Sequence, residues 1–85
     1  MNSVFFVYIL KSLKDGRFYI GYTADLENRI ARHNNGKNPS TKYRRPFELI
    51  YHEVYNTRQE AMAREKMIKS YKGGVAFQKL IADAG

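Results

Sequence analysis

The run Val4-Phe5-Phe6-Val7-Tyr8-Ile9-Leu10-Lys11, then Asp15-Gly16, then Phe18-Tyr19-Ile20-Gly21-Tyr22, decides the fold. The first run is β-branched and aromatic without polar alternation, as in a strand largely buried on both faces. Asp-Gly is a strong short-range hairpin signal, so the second run reads as the return strand. A two-residue turn at Asp15-Gly16 sets Lys14 opposite Arg17. Side chains alternate along a strand, and this parity puts Tyr8 and Tyr19 on one face, offset along it. A longer loop would bring them closer.

Outward from the hairpin, Thr23 is the candidate N-cap of a helix, and Asp25 sits in its first turn, where negative charge suits the dipole. Residues 24–34 have helical spacing, with Leu26 and Ile30 four apart, and Asn34-Asn35-Gly36 stops them. Arg29 and His33, also four apart, share a face. Residues 35–46 are polar and read as a loop ending at Pro46. Phe47 to Tyr55 returns to β character. Thr57-Arg58-Gln59-Glu60 has the form of a capping box, which predicts a helix from about 58 to 72. Gly73-Gly74 breaks it, and residues 75–82 form a short last helix with Leu80 and Ile81 facing inward. The order ββαβαα describes an α+β (mixed α/β layered) domain. Its small three-stranded, mainly antiparallel sheet is flanked by helices, and a crossover places strand three beside the hairpin.

Composition bounds the rest. Val, Ile, Leu and Phe supply 20 of the 85 residues, enough for one small core, so a single domain over 1–85 is expected. The chain has no cysteine, which excludes disulfides, thiolate metal sites and cysteine nucleophiles and fits the reducing cytoplasm. The longest apolar run, Val4 to Leu10, falls far short of the ~20 residues of a membrane span. Met1-Asn2-Ser3 lacks the basic residues that open a signal peptide. Lys plus Arg is 15 and Asp plus Glu is 8, a net charge of +7. Charge of this sign and density points first to nucleic acid.

That charge is uneven. Arg29, Arg32, Lys37, Lys42, Arg44 and Arg45 lie in one segment without an acid. Asn34, Asn35, Asn38, Ser40, Thr41 and Tyr43 fill the gaps, all able to bond phosphate or sugar. A solvated loop is the simpler alternative, but acids interrupt the other basic stretches and not this one. Arg64, Lys66, Lys69 and Lys72 form a second cluster, better read as a solvated helix face. Among seven tyrosines, Tyr8 and Tyr19 stand out because they share a face near Arg29. A phenol can donate to phosphate, or take a proton if cations lower its pKa. His33 titrates closest to neutrality. Glu65 is either half of a surface ion pair with Lys69 or, facing a phosphate-binding surface, a Mg²⁺ ligand.

Val7-Tyr8-Ile9 and Tyr19-Ile20-Gly21, one hairpin apart, resemble the paired signature of the GIY-YIG nuclease superfamily. The likeness continues at Arg29, ten residues after Tyr19, and at Glu65 in the helix after strand three. Arg44-Arg45-Pro46 with Leu49 and Tyr51, then Glu65-Lys66-Met67-Ile68-Lys69, looks like its small stand-alone bacterial branch. The first motif departs from the pattern, with Phe6 at its glycine position. The resemblance implies a catalytic set of Tyr8, Tyr19, Arg29, His33 and Glu65. Glu65 would hold one divalent cation, Mg²⁺ or Mn²⁺, and Arg29 would neutralise the scissile phosphate. A tyrosine or His33 would help activate water. Arg32, Lys37, Lys42, Arg44 and Arg45 would bind the nucleic acid, expected to be DNA.

Three functions follow as expectations. The first is a metal-dependent endonuclease of low sequence specificity. The second is a non-catalytic nucleic-acid-binding module. The third is a nuclease subunit whose protein partner supplies targeting. A carboxylate inside a basic site favours the first, because phosphate binding alone has no use for it.

Overall fold

The computed structural model describes residues 4–82. Met1-Asn2-Ser3, read above for signal-peptide character, and Asp83-Ala84-Gly85 lie outside the described residues. Three strands, β1 (Phe5–Ser12), β2 (Phe18–Thr23) and β3 (Phe47–Tyr55), form one antiparallel sheet in the order β2-β1-β3. Three α-helices follow the expected ββαβαα order: α1 (Leu26–Asn34), α2 (Arg58–Ser70) and α3 (Val75–Ala82). The unalternated apolar run is β1, the central strand. Val7, Tyr8, Ile9 and Leu10 are all buried, as a strand covered on both faces requires.

Each sheet face has its own core. Val7 and Ile9 pack with Ala61, Ile68 and Phe77 under α2 and α3. Tyr8, Leu10 and Phe47 pack on the other face with Tyr19, Leu26, Ile30 and Leu49, under α1. In α3 Phe77 is the buried anchor, and the inward-facing Leu80 and Ile81 pack partly buried against it.

Three local readings change in the structure. The hairpin turn has four residues, Leu13–Gly16, because Ser12 N–H donates to the Arg17 carbonyl at 2.8 Å and Lys11 pairs with Phe18. Arg17 therefore faces Ser12, not Lys14. Ser12 favours the longer loop, since its buried hydroxyl accepts the Lys14 and Asp15 N–H groups at 3.2 Å each. The N-cap of α1 is Asp25, whose carboxylate accepts the Asn28 N–H at 3.1 Å; Thr23, two residues earlier, accepts the Asp25 N–H at 3.1 Å. The 35–46 segment is the expected loop, with local order of its own. It contains a 3₁₀ turn at Lys42–Arg44, and Asn34 bonds both the N–H and the carbonyl of Phe47, at 2.6 and 3.2 Å. Arg64 is not on a solvated face. It grips the Glu53 carboxylate through two nitrogens at 2.9 and 3.0 Å, and the Tyr51 and Tyr55 hydroxyls donate to the same carboxylate.

Candidate active site

A cleft of about 450 Å³ borders edge strand β2. Tyr8 and Tyr19 from the hairpin, Arg29 from α1 and Glu65 from α2 all line it. Tyr8 and Tyr19 belong to the α1 face of the sheet, whereas Phe5 and Tyr22, which also line the cleft, pack toward α2. The cleft thus wraps the free edge of β2, which is how Glu65 reaches tyrosines rooted on the opposite face.

The four-residue loop sets the tyrosine spacing. Tyr8 pairs with Gly21, so Tyr19 lies two residues away on the same face, not the four of a two-residue turn. The two rings stack at 6.4 Å with an interplanar angle of 26°. Gly21 makes room for Tyr8. A β-carbon there would lie 2.6 Å from the Tyr8 hydroxyl oxygen and 2.8 Å from Cζ. The requirement is one of space rather than of backbone angle. Burial pushes the Tyr8 hydroxyl up to about 12; the Tyr19 and Glu65 charges push the same way, and the Arg29 guanidinium opposes them. Tyr8 is therefore a neutral phenol at neutral pH.

His33, in the last turn of α1 on the face it shares with Arg29, lies inside the fold rather than among the residues that line the cleft. It is fully buried, its ring 4.7 Å from that of Tyr19 and 5.7 Å from that of Phe47. Thr41, also buried, donates its hydroxyl proton to the Asn38 carbonyl at 3.4 Å and lies 2.9 Å from His33 Nδ1. If Thr41 donates to Asn38, the Nδ1-protonated tautomer completes the chain, and Nε2 then meets the Tyr8 hydroxyl, 3.5 Å away, as an acceptor. Thr41 was read as a phosphate contact. Nothing local in the sequence tied it to a histidine eight residues earlier.

Desolvation, with the Arg29 and Arg32 charges, holds the His33 pKa below the ordinary 6.5. The folded form thus resists protonation, while the unfolded chain takes up a proton below about 6.5. Stability tied to His33 is fully present above that value and is lost as pH falls through the lower folded value. An NMR titration of the His33 ring should give a midpoint below 6.5, with the thermal midpoint falling over the same range. A ring midpoint at or above 6.5 contradicts the buried, neutral assignment.

Glu65 lines the cleft and also pairs with Lys69, 3.6 Å away, so the ion pair does not draw the carboxylate out of the cleft. Among the described residues no group of three or more His, Cys, Asp or Glu could cage a metal. One carboxylate in a polar cleft does fit a hard divalent cation that keeps its waters and completes its shell with substrate phosphate.

The basic segment divides. Arg32, Lys37, Lys42 and Arg45 are exposed. Lys42 lies 5.5 Å from the Tyr43 ring centre, and the Arg45 guanidinium packs over Gly36. Arg44 is engaged elsewhere: Nε bonds Asp15 at 3.2 Å, and its carbonyl accepts the Ser12 hydroxyl. Arg58, which no motif in the sequence singles out, also lines the cleft.

The GIY-YIG catalytic domain family model matches residues 4–74. A UPF0213 protein of Staphylococcus epidermidis is 52% identical over 67 residues, 78% of this chain and 80% of that protein. A UPF0213 protein of Staphylococcus aureus is 48% identical over the same length and shares. The solution NMR structure of a UPF0213 protein from Bacillus halodurans superimposes with a TM-score of 0.60 at 35% identity, covering 96% of this chain and 87% of that one. With the paired tyrosines, Arg29 and Glu65 around one cleft and the family model spanning most of its length, this chain belongs to the GIY-YIG catalytic domain family.

Proposed function

We propose that this chain is a metal-dependent endonuclease, one domain over residues 1–85, that hydrolyses phosphodiester bonds in DNA with little sequence preference. Its family is one of nucleases that act on DNA with divalent metal ions. The observation that carries the reading is a guanidinium, a carboxylate and a histidine-backed phenol around a single cleft. A cytoplasmic location belongs to the proposal; among the described residues no helix is long and apolar enough to cross a membrane.

In this reading Arg29 binds the scissile phosphate and offsets the charge that grows on it in the transition state. Tyr8 is the proton acceptor for the attacking water. Because it rests as a neutral phenol, it passes its own proton to Nε2 of His33 as it takes one from water. His33 ends protonated, and its Nδ1–H keeps the Thr41 bond throughout. Tyr19, stacked on Tyr8, fixes that ring and offers its hydroxyl to the phosphate. Mg²⁺ or Mn²⁺ held by Glu65 would supply positive charge to the phosphate and the leaving oxygen. Arg32, Lys37, Lys42 and Arg45 contact flanking phosphates, with Arg44 bracing the turn that carries them.

Binding of this kind depends on salt. Each duplex phosphate neutralised contributes about −0.9 to the slope of log K against log salt. Titrating labelled DNA at several salt concentrations should give a slope of several units, nearly the same for unrelated sequences. A flat response contradicts the proposal. Nicking of supercoiled plasmid and cutting of single-stranded, branched and duplex DNA, with and without metal, tests the chemistry.

A further inference from the structure

The cleft contains a second guanidinium that the proposed chemistry leaves unused. Arg58 opens α2 and lines the cleft, and its guanidinium lies 5.2 Å from the centre of the Phe5 ring. Glu65 follows it by seven residues, two helical turns, on the same side of α2. Among the described residues no carboxylate lies within 4.0 Å of Arg58. Helix stability does not account for the residue, because a cation in the first turn opposes the helix dipole. The cation–π contact with Phe5 holds its head at the cleft, and among the described residues its N–H groups make no side-chain hydrogen bond. A flat, always-charged donor fork in that position matches a phosphate.

Arg29 and Glu65 already address the scissile phosphate. Arg58 and Glu65 are rooted about 10 Å apart along the helix, a spacing that suits a neighbouring group on the same strand. We propose that Arg58 is a second phosphate-binding residue of the cleft, holding the non-scissile phosphate next to the one cleaved. The inference rests on the endonuclease reading. It assigns Arg58 a positioning role, which aligns the strand so that the cut phosphate meets Arg29. Such a contact is formed in the ground state and kept in the transition state, so its loss raises KM more than it lowers kcat.

The test compares wild type, Arg58→Ala, Arg58→Lys and Arg29→Ala on a short labelled DNA with one cut site. Binding is measured against salt in parallel, in a Glu65→Gln background. Arg58→Ala is expected to raise KM about tenfold, as for loss of one charged hydrogen bond. It should also flatten the salt slope by about one unit, as for one phosphate lost. Arg58→Lys should recover the slope and part of KM, and Arg29→Ala should lower kcat instead. A methylphosphonate beside the cut phosphate should weaken wild type and leave Arg58→Ala unaffected. If wild type cuts DNA and Arg58→Ala matches it in KM and salt slope, the inference is overturned while the endonuclease reading stands. A fall in kcat with KM unchanged also overturns it. If wild type shows no metal-dependent cleavage, the endonuclease reading fails, and unchanged salt slopes would then remove the Arg58 contact as well.

Discussion

Replacing Glu65 by Gln should lower the rate of DNA cleavage by ~10²–10³, the loss typical when one preorganised electrostatic contact is removed from an active site. The amide keeps the shape of the side chain and removes the charge that would hold the cation. Arg29→Ala should cost a similar factor, because the scissile phosphate then lacks its guanidinium in a partly enclosed cleft. Neither substitution should move the thermal midpoint much. The Glu65 side chain keeps 20% of its surface exposed, and among the described residues its one ion-pair partner is Lys69, an i,i+4 pair of small energetic weight. Plasmid nicking at fixed Mg²⁺, with melting curves on the same preparations, measures both effects. Equal activity in wild type and both variants would trace the cleavage to a contaminant and remove the site assignment.

Gly21→Ala should damage stability and activity together. The new methyl group would lie 2.6 Å from the Tyr8 hydroxyl oxygen and 2.8 Å from its Cζ. Tyr8 is fully buried, with Tyr19 and His33 against it, so its ring cannot swing aside freely. Overpacking of this kind costs about 1–3 kcal/mol, which for a domain of this size lowers the melting midpoint by roughly 4–8 °C per kcal/mol. Displacing Tyr8 also breaks its approach to His33 and Arg29, and misplacing a general acid–base group costs ~10²–10⁴ in rate. Gly16→Ala is the comparison. Gly16 has φ +73° with nothing within 4 Å of a β-carbon, so alanine there strains the turn and leaves cleavage kinetics alone. Full activity in Gly21→Ala would show that Tyr8 does not act from its buried position.

Elements governed by local chemistry are legible in the sequence. The unalternated run in β1 predicted a strand covered on both faces. The Thr57 cap was legible from its own residues: the Glu60 N–H donates to the Thr57 hydroxyl at 3.2 Å, the N-cap half of a capping box, while the Glu60 carboxylate accepts that hydroxyl at 3.0 Å. Hairpin parity placed Tyr8 and Tyr19 together even though the loop length was misjudged, because lengthening a turn by two residues preserves which face each side chain takes. What escaped depends on contacts between distant segments. Ser12 reads as a strand end, yet its hydroxyl organises the turn and bonds Arg44 thirty-two residues later. Glu53 reads as an ordinary polar strand residue, yet Arg64 and two tyrosines converge on it. His33 looked like a helix-end residue because nothing in α1 shows that Phe47 and Thr41 will close over it. Arg58 looked like part of a capping segment, and only the wrapping of the cleft around β2 brings it near Arg29.

The central claim is that Glu65 gives this cleft its metal, and one measurement addresses it directly. Crystals of the protein soaked in Mn²⁺, with data collected at the manganese absorption edge, should show one anomalous peak bound to a Glu65 carboxylate oxygen. The peak should lie within the cleft lined by Tyr8, Tyr19 and Arg29, and it should vanish in Glu65→Gln crystals treated identically. No peak at Glu65 under saturating Mn²⁺, or the same peak persisting in Glu65→Gln, would contradict the account.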